Sequence, residues 1–85
     1  MRFVSIMSWE PEKAKEVTEL FLKWKPPEGF KFLYGPCTVL GGNKTVSIIE
    51  TDTVALAKID RYWREVTKSE IWPIMDTADI AKMKP

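Results

Sequence analysis

Histidine is absent from the 85 residues, and that absence excludes more chemistry than any residue present suggests. It removes Ser-His and Cys-His nucleophile pairs, imidazole metal sites and a proximal histidine for haem. Cysteine is nearly absent too. Cys37 alone cannot form an internal disulfide, which fits a reducing compartment and makes the cytoplasm the expected location. Charge of either sign is not in excess: the formal net charge of +1 gives no field to draw in nucleic acid or acidic lipid. No apolar run is long enough to span a bilayer. Met1 to Trp9 carries one basic residue and a short apolar stretch, but no small-residue cleavage site follows it, so it reads as a first strand. Repeats and low-complexity segments are also missing.

What is present is 45% hydrophobic and 29% charged, ordinary for a soluble globular protein. The length makes one domain, residues 1–85, and a chain this short buries only a little over ~60% of its unfolded surface. The core is therefore small, and stability is modest unless subunits add area.

The run from Thr45 to Val66 organises the rest. Thr45 to Glu50 is rich in β-branched residues, with Val46 and Ile48 on one face and Ser47 and Ile49 on the other, so neither face reads as a water-facing row. Thr51-Asp52-Thr53 offers side-chain oxygens to cap a helix, and Ala55, Leu56, Ile59, Tyr62, Trp63 and Val66 follow at helical spacing. That helix covers one face of the strand; a second copy of the chain is the expected cover for the other.

Phe3 to Trp9 alternates with apolar groups on both faces and reads as a second central strand. Pro11 suits the first turn of a helix, whose stripe of Ala14, Val17, Thr18, Phe21 and Trp24, with Leu20 beside it, ends at Pro26-Pro27. Phe30 to Leu40 reads as extended, interrupted by Gly35-Pro36, and Gly41-Gly42-Asn43 turns it back as a hairpin. Lys68-Ser69 links the second helix to a last strand, Glu70 to Met75. The tail from Asp76 to Pro85 has room for one or two helical turns, capped by Asp76 or Thr77. The order β-α-β-β-α-β predicts an α+β, ferredoxin-like fold: a four-stranded antiparallel sheet in the order 4-1-3-2 with both helices on one face. Pro36 and Pro73 then fall in the two edge strands, where a missing N–H is tolerated.

Several short runs carry a resemblance that covers nearly the whole chain. Ser8-Trp9-Glu10-Pro11, the helix ending before Pro27-Glu28-Gly29, the Gly41-Gly42 turn into Ser47-Ile48-Ile49-Glu50-Thr51-Asp52, and Trp72-Pro73-Ile74-Met75-Asp76 resemble small uncharacterised proteins of the dimeric α+β barrel superfamily. The resemblance implies a ferredoxin-like protomer whose open sheet face packs on that of a second subunit. It implies no activity. More distant members include cofactor-free monooxygenases, small isomerases and haem enzymes, so the fold alone does not assign a reaction.

Glu50 closes the central strand beside Val46 and Ile48, and a carboxylate against an apolar face is a candidate general base. The structural alternative places it at a wetted strand end or bonded to the cap around Asp52. Trp9, Tyr34, Trp63 and Trp72 are candidate walls of a ligand pocket between sheet and helices, with indole N–H and phenol O–H as polar handles. The alternative is that large rings fill a small core and a dimer interface, as expected for Trp24 and Trp63 at helical spacing. Cys37 has no histidine to activate it and reads as an inert thiol. Lys58, Arg61, Arg64 and Lys68 read as a solvated face with i,i+4 pairs, and Asp76 with Asp79 supply too few ligands for a metal.

These residues suggest a homodimer binding or transforming a small apolar or aromatic molecule, with no cofactor; any catalysis would be proton transfer or oxygenation served by Glu50. A non-catalytic dimeric binding or regulatory module is the alternative. An RNA-recognition role fits worst, because Thr45 to Glu50 has no aromatic for base stacking.

Overall fold

The structure, a computed structural model, describes residues 1–83. Two neighbouring antiparallel strands, β1 (Arg2–Ser8) and β3 (Lys44–Thr51), form its centre, with Phe3 opposite Ile49 and Ser5 opposite Ser47. β2 (Phe30–Thr38) flanks β3 and β4 (Lys68–Pro73) flanks β1, both antiparallel, so the open sheet runs β2-β3-β1-β4. Counted from the other edge this is 4-1-3-2, with Pro36 and Pro73 in edge strands.

After β1, Pro11–Lys13 form a single 3-10 turn that leads into α1 (Ala14–Lys23). Glu10 is the extended N-cap of that turn, and Pro11 sits where no N–H is required. A backbone hydrogen bond in the same turn, helped by Glu10 and Lys13, holds the Glu12 carboxyl below the ordinary carboxylate range. Trp24 is already extended, with ψ 136°, so it stands just past α1 rather than in its stripe.

α2 (Thr53–Trp63) begins at Asp52, whose Oδ1 accepts the Ala55 N–H at 2.8 Å. This is the expected cap. Gly29 makes room for it: its φ is +88°, and a Cβ there would run into the Asp52 carboxylate. The helix stops three residues short of Val66, because the Trp63 carbonyl accepts N–H bonds from Val66 and Thr67 together with the Thr67 hydroxyl. With the chain turned there, β4 starts at Lys68 rather than Glu70. Its register on β1 sets Lys68 opposite Ser8 and Pro73 opposite Phe3, which leaves Met75 beyond the strand. α3 (Thr77–Ile80) is one turn with Asp76 at its N-cap. Lys84 and Pro85, the end of the expected tail, lie outside the described residues.

β2 is continuous through Gly35-Pro36, a cis peptide, but its register on β3 shifts on either side of Tyr34. Gly35 has φ +80°, and a Cβ there would lie 2.8 Å from the Val46 carbonyl oxygen. Val39 to Lys44 closes the hairpin with a 2.9 Å backbone bond.

Alternation gives the sheet two distinct faces. Phe3, Ser5 and Met7 of β1 and Thr45, Ser47, Ile49 and Thr51 of β3 look toward the helices. Val4 and Ile6, with Val46 and Ile48 opposite them, look away. Trp72 beside Val4 and Tyr34 beside Ile48 extend that second face, 59% and 63% exposed. No helix among the described residues is long and apolar enough to cross a membrane.

Candidate functional site

The helices do not close on the sheet. Between them lies a cavity of about 400 Å³ whose floor is Ser5 and Met7 of β1 with Thr45, Ser47 and Ile49 of β3. Part of the room comes from the floor itself, since two of these five side chains are serines where a filled core would carry valine or leucine. Val17 and Phe21 of α1 and Ile59 and Trp63 of α2 form the roof. Phe30 and Phe32 of β2, with Trp24, wall one end.

Trp24 is the hub of that wall. Its ring centroid lies 5.6 Å from Phe30, 5.9 Å from Phe32 and 6.1 Å from Trp63, all edge to face, the arrangement favoured by the ring quadrupoles. Tyr62 stacks edge-on against Trp63 at 5.0 Å, and its hydroxyl donates to the Leu20 carbonyl at 2.7 Å, tying α2 to α1. Trp63 itself is buried. Thr18 and Phe21 on α1 and Pro36 and Thr38 on β2 are the exposed members of the lining.

The cavity carries no charge: none of its lining residues is acidic or basic. Its polar groups are hydroxyls and the indole N–H groups of Trp9, Trp24 and Trp63. The Thr18 hydroxyl is engaged by the Ala14 carbonyl at 3.0 Å. Among the described residues, the Ser5, Thr45 and Ser47 hydroxyls make no hydrogen bond. The Trp9 Nε1–H is buried without a partner. Trp9 lies just beyond β1, where its backbone N–H donates to the Asn43 carbonyl at 3.0 Å.

Of the residues singled out from the sequence, the structure brings Trp9 and Trp63 together around the cavity. Tyr34 and Trp72 stand on the opposite face of the sheet. Glu50 is on that face as well, across from Lys31, whose Nζ is 3.8 Å away; the Glu50 side chain is 47% exposed. It opens on a shallow depression with Met1, Lys31 and Asp52 rather than on the cavity. Among the lining residues that sequence reasoning did not assign to a site are Ser5, Thr45, Ser47, Phe30 and Phe32. The one signal for the first three was polarity at inward positions of strands otherwise filled with apolar groups.

Elsewhere three further ion pairs lie on the surface among the described residues. Asp60 pairs with Arg64, Asp79 with Lys82 at 3.2 Å and Asp76 with Arg2 at 3.4 Å. No cluster of metal-ligating side chains occurs among the described residues. Cys37 is free and exposed.

Fold and cavity together define a small α+β protein with an open antiparallel sheet and an uncharged, aromatic-walled hollow under its helices. Over residues 1–85 the chain matches the family described as Domain of unknown function (DUF3303), and it belongs to that family. Neither the curated proteins nor the solved structures contain a match.

Proposed function

We propose that the protein is a homodimer that binds a small apolar or aromatic molecule in the cavity of each protomer. The observation that carries the reading is the cavity itself: about 400 Å³, aromatic-walled, with a few unengaged polar groups, which is the make-up of small-molecule sites. Binding is favoured over acid–base catalysis because a base must lie within hydrogen-bond reach of the proton it takes, and no carboxylate lines the hollow.

The dimer is supported by unburied area. The chain exposes 6556 Å², against about 5,200 Å² for a compact monomer of its mass. That excess is larger than the ~800 Å² each partner gives up in a standard interface. The open face supplies apolar groups for it, with Val4, Ile6, Val46 and Ile48 at the centre and Tyr34 and Trp72 at the sides. The same face favours a second reading, a non-catalytic dimeric module in which assembly is the function. A cytoplasmic setting belongs to the proposal as well, consistent with the free, exposed Cys37.

Thermal melts against a panel of small aromatic alcohols, ketones and quinones test the binding reading. A bound compound at a hundredfold its Kd should add about 2.7 kcal/mol of stability. A panel in which nothing raises the melt contradicts the cavity as a ligand site and leaves the assembly reading.

A further inference from the structure

We infer that the molecule held in the cavity is uncharged: an apolar body carrying one neutral hydroxyl or carbonyl that meets the Ser5–Ser47 hydroxyl pair on the sheet floor. The inference rests on the cavity being a binding site.

Ser5 and Ser47 are direct partners across β1 and β3, and both line the cavity. Side chains paired in this way have Cβ atoms about 4.5–5.5 Å apart, so one ligand atom can reach both hydroxyls. Ser47 is buried, and neither hydroxyl has a partner among the described residues. A hydroxyl both donates and accepts, so the pair suits a ligand hydroxyl or carbonyl equally. The Trp9 Nε1–H, buried without a partner, is neutral and adds no charge to the wall.

Ions fare worse. A carboxylate brought into the hollow loses its water and meets no Lys or Arg, and burial of an uncompensated charge is strongly disfavoured. An ammonium meets no carboxylate. Its remaining recourse is a cage of open ring faces, but Trp24 packs edge to face with Phe30, Phe32 and Trp63, which engages those rings with one another.

Calorimetric titration with four probes of one shape tests this: naphthalene, 2-naphthol, 2-naphthoate and 2-naphthyl-trimethylammonium at neutral pH. A phenol with a pKa near ~10 is uncharged there. 2-Naphthol should bind at least about tenfold tighter than either ion. Ser47→Ala and Ser5→Ala should each weaken 2-naphthol about three- to tenfold, the worth of one neutral hydrogen bond, while leaving naphthalene unchanged. If 2-naphthoate or the ammonium binds as tightly as 2-naphthol, or if Ser47→Ala leaves 2-naphthol unaffected, the inference falls while the cavity remains a site. If none of the four binds, the binding reading falls with it.

Discussion

At the scale of single residues, the contact between Gly29 and Asp52 joins the start of β2 to the cap of α2. Gly29 has φ +88° and leaves no room for a Cβ beside the Asp52 carboxylate, which is already used by the Ala55 N–H. Gly29→Ala should therefore cost about 1–3 kcal/mol in urea denaturation, combining left-handed backbone with a displaced cap. Asp52→Ala should cost about 0.5–2 kcal/mol. Because both act through one carboxylate, the double variant should lose less than the sum; strict additivity would show the two to be independent. Glu50 gives the opposite expectation. It is half exposed and 3.8 Å from Lys31, an arrangement of little worth in water. Glu50→Gln should stay within about 0.5 kcal/mol of wild type and leave 2-naphthol binding unchanged. A lost ligand response in that variant would return Glu50 to the site.

At the scale of elements, the cavity exists because small hydroxyl residues occupy the middle of two central strands. Replacing Ser47 by Val fills part of the floor and removes a hydroxyl that has no partner. It should raise stability by about 0.5–1.5 kcal/mol while weakening ligand binding, as expected where a site is kept open at the expense of packing. A destabilised Ser47→Val with unchanged binding would mean that the floor is already full. Strand order, helix placement and the Asp52 cap were legible in the sequence, because each rests on local signals: β-branched runs, helical spacing, capping oxygens and edge prolines. Element ends were less so. β4 begins at Lys68 because β1 offers Ser8 as a partner, and α2 stops at Trp63 because Thr67 folds back on its carbonyl. Both are set by residues distant in the chain or by a turn without a strong signature. The cavity was half legible. Trp9 and Trp63 could be read as pocket walls, but empty space is a sum over two helices and a sheet, and no single stretch of sequence encodes it.

At the scale of the whole molecule, the two faces of the sheet differ. The helix-covered face carries the hollow, and the open face carries Val4, Ile6, Val46 and Ile48 between the exposed rings of Tyr34 and Trp72. The radius of gyration, 14.4 Å, exceeds the ~12 Å of a compact chain of this length, and the extents of 49 × 30 × 18 Å describe a flat protomer. Such a slab gains most by stacking on its apolar side, and an uncovered patch of this kind is rare on a monomer. Light scattering on a sizing column at micromolar concentration should return twice the chain mass, and Trp72→Glu should return the mass of one chain. A single-chain mass for the wild type contradicts the dimer. The four tryptophans, three at the cavity and Trp72 on the open face, report on both faces at once. A proton–nitrogen correlation spectrum of the indole groups, recorded as 2-naphthol is added, is the most direct test. The account expects the Trp9, Trp24 and Trp63 signals to move while Trp72 stays fixed; movement of Trp72 alone would contradict it.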